Sequence, residues 1–341
     1  MFKVGIIGLG FIGTQHLQNF VDLPGVEITA IADISDQNIA ASTQIHIVEQ
    51  TFRDYRDLLA LQDLDLIVVC LPNYLHAPVT IEALNAGHNV LCEKPMATTL
   101  EEAEAMIAAA EENQRNLSIV MNFRWQYFGP DAFHLKKLIG SGELGEIYYI
   151  RAHYLRRSTF PTTGYERWNL SQDEAGGGAL IDLGPHMLDL AMWLLEDYSP
   201  RSVNGITHNG LIKYSPVDDF ASGSVTMTSG ARIQADLAWN SYNQMSWKIS
   251  VYGEKGGATI DAEKPAGQRI TRFVERDSNP AVETVSPDEI TSPPEASVQE
   301  HVVKRVIAGE APDCSAERAL QVMKVIEGWY QSSESGREVD L

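Results

Sequence analysis

The sequence predicts an α/β chain in two parts. Residues 1–122 read as a doubly wound parallel sheet, and residues 123–341 as an α+β domain whose sheet is mainly antiparallel. Three observations predict this. At 341 residues the chain exceeds one typical core. Its first third alternates short, continuously apolar runs with helical segments, as strands buried on both faces require. From about Asn122 onward, strands with turn punctuation follow one another with little helix between them.

"KVGIIGLGFIGTQHLQNF" reads as strand, glycine turn and helix, with Gly8, Gly10 and Gly13 in a G-x-G-x-x-G pattern. Such glycines allow a tight turn, close backbone approach to a pyrophosphate, and close helix–strand packing. The helix start at Phe11 and Ile12 then offers amides and a positive dipole end to phosphate. "VEITAIAD" is a second strand, ending in Asp33, where a carboxylate suits the two hydroxyls of an adenosine ribose. Ile34, Ser35 and Asp36 follow, with no arginine for a 2′-phosphate, so the expected cofactor is NAD, with NADP possible.

The rhythm continues through "YRDLLALQ" (helix), "LDLIVVCLP" (strand), "HAPVTIEALNAG" (helix), "HNVLCEKP" (strand), "TLEEAEAMIAAAEENQ" (helix capped by Thr99) and "LSIVMNF" (strand). Ligands of such sheets sit beyond the carboxyl ends of the strands. The polar residues there are candidates: Pro72, Asn73 and His76; Glu93 and Lys94; Asn122 and Arg124.

In the second part, "GGGALIDLGPHMLDLAMW" joins three glycines to a helical pattern interrupted by Pro185, which is expected either to start a helix or to kink one. Asp182 and His186, four apart, share a face of that helix. They read either as a catalytic pair or as a structural tie. A metal site from Asp182, His186 and Asp189 fits the spacing but lacks a fourth ligand, so none is expected. The stretch 151–169 is rich in Arg, Tyr and Trp. Arg156, Arg157, Tyr165 and Trp168 suit stacking on a sugar or binding a carboxylate, and equally suit a plain surface loop. "TRFVERDSNPAVETVSPDEITSPPEAS" is acidic, proline-rich and weakly periodic, and is expected to be a surface excursion. "VQEHVVKRVIAG" and "SAERALQVMKVIEGWYQSSESG" read as closing helices.

With 26 Lys and Arg against 46 Asp and Glu, the net charge is −20, which argues against nucleic acid or an anionic membrane as partner. No apolar run is long enough to span a bilayer, and "MFKVGIIGLG" runs directly into a strand without a secretory signal. Three scattered cysteines make neither a disulfide framework nor a zinc cluster. The expected compartment is the cytoplasm.

The glycine turn, "PNYLH", "AGHNVLCEKPMA", "GGGALIDLGPHMLDL", "YGEKGGATID" and "SGREVDL" together resemble the glucose–fructose oxidoreductase/inositol dehydrogenase (Gfo/Idh/MocA) family over nearly the whole chain. The resemblance implies an NAD(P)-binding Rossmann domain and a substrate domain with a large open sheet, one face of which commonly forms a subunit interface. Alternation in "ASGSVTMTS" and "ARIQADLAW" buries one face of that sheet, either on helices or on a second subunit, and a homodimer or homotetramer is expected. The resemblance also implies a small carbohydrate or polyol substrate, a catalytic group of Lys94, Asp182 and His186, and a cis Lys94–Pro95 bond. Oxidising a secondary alcohol needs a base for the hydroxyl proton, which suits His186, and a donor to steady the alkoxide, which suits Lys94. Asp182 suits either orienting the imidazole or holding a neighbouring hydroxyl. The competing expectations are a catalytically silent nucleotide sensor and a reductase of a non-sugar carbonyl or imine.

Overall fold

A computed structural model describes residues 1–157, 168–290 and 292–341. It divides into two compact units: Met1–Val120 with Ser297–Leu320, and Met121–Ala296 with Gln321–Leu341.

In the first unit, β1 (Phe2–Ile7), β2 (Val26–Ala32), β3 (Gln50–Phe52), β4 (Leu66–Val69), β5 (Asn89–Cys92) and β6 (Leu117–Ile119) form one sheet in the order β3-β2-β1-β4-β5-β6. Every pairing is parallel. The helices between strands are α1 (Phe11–Val21), α2 (Asp36–Ile45), α3 (Tyr55–Leu59), α4 (His76–Asn85) and α5 (Leu100–Asn113). β4 is buried at every position, because helices cover both faces of such a sheet. Thr99 caps α5 in a reciprocal capping box with Glu102. The strand order reverses between β1 and β4, which places a ligand crevice at their carboxyl ends.

The second unit holds α6 (Gly129–Gly140), β7 (Ile147–Leu155), α7 (Gln172–Ala175), α8 (Ala179–Leu195), β8 (Pro200–His208), β9 (Phe220–Met227), β10 (Arg232–Ala238), β11 (Ser246–Gly253), β12 (Gly257–Asp261), β13 (Ile270–Arg276) and β14 (Asn279–Thr284). With the two-residue β15 (Val339–Asp340) these strands make a nine-stranded sheet, ordered β14-β13-β12-β11-β7-β10-β9-β8-β15. All pairings are antiparallel except β10 with β7. Ile150, Ala152, Tyr154, Ile233, Ala235 and Leu237 alternate inward and pack under α8, while the residues between them stay partly exposed.

Two sequence expectations are corrected here. The expected surface excursion contributes a hairpin: β13 and β14 turn about Asp277 and Ser278, both with positive φ (49° and 63°). That is the geometry a tight hairpin wants, but here it is carried by Asp-Ser rather than the usual Asn-Gly or Asp-Gly. The second correction concerns α9 (Val298–Ala308), which falls within residues 123–341 yet packs with the first unit, burying Val298, Val302 and Val303. α10 (Ala316–Ser335) closes the chain.

Candidate active site

The glycine turn has the shape a dinucleotide needs. Gly8 has φ +89°, and a Cβ there would lie 2.3 Å from the Cys70 carbonyl oxygen. A Cβ on Gly13 would lie 1.9 Å from the Gly8 oxygen, so the first turn of α1 can close on β1 only with glycine there. Beside Gly10, by contrast, there is open space. Gly10 is the N-cap of α1 and supplies no side-chain cap, and the first turn, Phe11 to Gly13, carries no acid. The positive end of the helix is therefore left uncompensated by a cap or an acid, with open space beside it that suits an anion.

Asp33, just past β2, is held half-buried. Its Oδ2 accepts from the Leu9 amide (2.7 Å) and its Oδ1 from the Ser35 amide (2.8 Å), with Asn38 Nδ2 3.3 Å from both. The fold also brings up an arginine that the local sequence does not show. Arg53, from beyond β3, donates to Asp36 and to the Ile34 carbonyl, both at 3.1 Å. Its charge is met by Asp36, so the acidic character of this loop stands. These residues fit a dinucleotide whose adenosine ribose carries two hydroxyls.

At the ends of β4 and β5 the structure separates Lys94 from its neighbours. Lys94–Pro95 is cis, and Lys94 is half-buried. Glu93 and His76, expected among the cofactor contacts, are 7% and 1% exposed and serve as internal ties instead. One Glu93 oxygen lies 2.9 Å from His16 Nε2, and the other accepts from the Lys94 amide at 3.1 Å. Gln299 of α9 lies 3.0 Å from the other nitrogen of His16. Burial works to raise the Glu93 pKa, but the His16 hydrogen bond and the charges of His16, Lys94 and His76 outweigh it and hold the carboxyl below its ordinary range. His76 bridges two loops, its ring nitrogens each 2.7 Å from a carbonyl oxygen, of Pro95 and of Leu71. Burial pushes its basicity down against these contacts. Pro72 is half-buried and Asn73 opens a 3₁₀ turn before α4. Asn122 falls in the second unit, where its amide donates to Gln126 at 2.9 Å.

In the second unit the three glycines build the start of α8. Gly176 ends α7 in a left-handed conformation (φ +81°). A Cβ on Gly177 would lie 2.1 Å from the Tyr330 hydroxyl, and one on Gly178 would lie 1.8 Å from the Asp218 carbonyl oxygen. The close approach lets Asp218 cap the helix, accepting from the Gly178 and Leu180 amides (2.9 and 2.8 Å) and from Tyr330 (2.8 Å). Burial pushes the Asp218 pKa up, opposed by those donors. α8 then runs as one helix through Pro185, so His186 stands in a continuous helix rather than at a new start.

Asp182 Oδ2 accepts from Trp239 Nε1 at 2.7 Å, and the Arg156 guanidinium lies 3.8 Å from the same oxygen. One turn later the His186 ring stacks on Phe123, with centroids 4.1 Å apart and planes within 12°. Tyr154 meets the imidazole edge-on at 6.4 Å. Tyr127 and Trp247 complete the wall, each packed against this group at 4.4 to 5.5 Å. Arg124 does not contact this wall's interior as a substrate-facing cation. Fully buried, it grips Asp189 through Nε (2.9 Å) and Nη2 (2.5 Å), donates to Tyr198 and lies over Trp193. The same pair takes Asp189 out of any cluster with Asp182 and His186. Trp168 begins a short 3₁₀ turn and is partly exposed. Tyr165 lies outside the described residues.

A parallel sheet in this strand order, with an intact glycine turn and a carboxylate just past β2, is a dinucleotide-binding Rossmann domain. Residues 2–121 match the NAD-binding Rossmann-fold domain of an oxidoreductase family, and residues 133–259 match the GFO/IDH/MocA C-terminal domain. Levoglucosan dehydrogenase of Pseudarthrobacter phenanthrenivorans is 30% identical over 291 residues, covering 77% of this chain and 74% of that one. D-glucoside 3-dehydrogenase of Escherichia coli K12 is 28% identical over 99% of this chain and 97% of its own length. The crystal structure of aldose-aldose oxidoreductase from Caulobacter crescentus superimposes with a TM-score of 0.85 at 26% identity, covering 100% of this chain and 99% of that one. The chain belongs to the GFO/IDH/MocA family of NAD-binding oxidoreductases.

Proposed function

We propose that this oxidoreductase transfers hydride between NAD and a secondary hydroxyl or carbonyl of a sugar, polyol or cyclitol, with Lys94, Asp182 and His186 as its catalytic group. The observation that carries the reading is the construction around those three residues. Asp182 and His186 stand one turn apart on α8, the first tied by Trp239 and the second stacked on Phe123, and Lys94 is presented by a loop held from both sides. Bound NAD supplies the hydride acceptor or donor. His186 takes the hydroxyl proton, and Lys94 hydrogen-bonds the oxygen as negative charge develops on it. Asp182, set between the Trp239 indole and Arg156, holds a neighbouring hydroxyl. Arg156 and Trp168 suit a polyhydroxylated ligand, offering donors and a stacking face. The named activities of the relatives, on levoglucosan and on D-glucosides, support the substrate class.

The test is a panel of sugars, polyols and cyclitols scored by NADH fluorescence. Lys94→Ala and His186→Ala are each expected to lower turnover by about 10²–10⁴-fold while NADH still binds. Equal turnover in wild type and both variants rejects the assignment.

The oligomeric reading is a homodimer or homotetramer built on the sheet face turned away from α8. Cross-strand neighbours there include Asp236, His153, Lys248 and Asp261 in one row, and Tyr149, Tyr252, Phe273 and Val282 in another. Phe273 is 46% and Val282 69% exposed in the single chain, an apolar patch that a second copy would cover. A monomeric mass by light scattering refutes it. The compartment we assign is the cytoplasm; Cys70, Cys92 and Cys314 form no disulfide among the described residues, and no described helix is long and apolar enough to cross a membrane.

A further inference from the structure

The residues behind Lys94 form a buried chain that the proposed chemistry does not use: Gln299, His16, Glu93 and the Lys94 backbone amide. Gln299, His16 and Glu93 are all buried, so each polar contact stands without solvent to replace it. The hydrogen-bond directions follow from chemistry. An ionised Glu93 can only accept, so it takes the Lys94 amide proton on one oxygen and needs a proton from His16 Nε2 on the other. A neutral imidazole with its proton on Nε2 has a bare lone pair on Nδ1. The amide NH₂ of Gln299 satisfies that lone pair, whereas a doubly protonated ring would require Gln299 turned to present Oε1 instead.

We propose that Gln299 and His16 are positioning residues for Lys94: Gln299 fixes the His16 tautomer, and the resulting Nε2 proton fixes the Glu93 carboxylate that holds the Lys94 amide. The inference rests on the reading of Lys94 as catalytic. Without the Gln299 amide, the buried Nδ1 lone pair goes unsatisfied, which offsets part of the preference for Nε2–H that Glu93 imposes and shifts population toward the Nδ1–H form. That turns an Nε2 lone pair onto Glu93 Oε1, the carboxylate rotates away, and the Lys94 amide loses its acceptor. The side of the loop held by His76, through the Pro95 carbonyl, is left intact, so the loop loosens without coming apart. The segment that carries Gln299 lies 283 positions from His16 in the chain.

The test uses the full chain labelled with ¹⁵N, with the His16 ring signals assigned by their loss in His16→Gln. In wild type at neutral pH, His16 is expected as the neutral Nε2–H tautomer. Gln299→Leu removes the donor and is expected to populate Nδ1–H. Gln299→Glu, nearly isosteric, presents only acceptors and is expected to force a proton onto Nδ1. In both variants the Lys94 amide should exchange with solvent about ten-fold faster, while the amides of β5 keep their protection. kcat, on whichever panel member turns over, should fall about ten-fold with the NADH dissociation constant within about two-fold of wild type. A wild-type His16 protonated on Nδ1 or on both nitrogens overturns the proposal. So does a wild-type tautomer, Lys94 exchange rate or kcat retained in both variants. Turnover retained in Lys94→Ala removes the catalytic reading instead, and the tautomer and exchange measurements still decide the chain of contacts.

Discussion

Lys94 and His186 are seated in opposite ways. Lys94 hangs on a polar network in which a carboxylate, two imidazoles and a carboxamide hold main-chain groups on either side of it. His186 sits against an aromatic wall of Phe123 and Tyr154, backed by the buried Arg124–Asp189 pair that ties the Asn122–Arg124 turn to α8. Hydrogen bonds fix direction and respond to protonation, whereas stacking fixes a plane and responds to shape. A lysine at the end of a flexible stem gains most from a rigid backbone. An imidazole on a helix already has its backbone fixed and gains most from a held ring plane.

That contrast predicts different failures. The largest is expected at the buried pair. Arg124→Met leaves Asp189 charged and unpartnered by its guanidinium, and should cost about 3–5 kcal/mol in urea unfolding. Arg124→Met with Asp189→Leu should recover most of that loss; a single variant as stable as wild type would show that the pair does not hold the turn. Next is the wall itself. Phe123→Leu keeps apolar volume but removes the flat face, and should lower kcat about ten-fold with NADH affinity within about two-fold. A matching loss of NADH affinity would mean that Phe123 acts elsewhere.

The smallest effect is on the polar side and depends on pH. Glu93 is held below its ordinary value of 4.5, so its ionised form favours the folded state. That stabilisation is complete above the ordinary value and is lost as pH falls from there through the folded value. The urea midpoint of wild type should therefore drop more steeply than that of Glu93→Gln between about pH 5 and about pH 3. Parallel curves would show that Glu93 gains nothing from its partners.

The parallel sheet, the glycine turn, the carboxylate that follows β2 and the helix that carries Asp182 and His186 were all readable from local pattern. Periodicity and turn chemistry act within a few residues, and these features are written on that scale. The misreadings share the opposite cause. Arg124 looks like a cation at a strand end until Asp189, 65 positions later, closes on it. Glu93 and His76 look cofactor-facing until His16 and the Leu71 and Pro95 carbonyls claim them. Arg53 reaches the loop after β2 only because β3 pairs with β2. Helical periodicity marks α9 as a helix but says nothing of which core its apolar stripe joins. The Trp239 indole that ties Asp182 gives no local signal either, since the contact spans 57 positions.

The borders of the nine-stranded sheet carry a further consequence. A sheet this wide offers unpaired backbone at both margins, which is a template for runaway association between chains. One margin here is β15, only two residues long. The other is β14, where Pro280 lacks a donor and Glu283 places charge, already gripped by Arg272 and Arg276. Polymerisation through the strand edges is thereby discouraged at both ends.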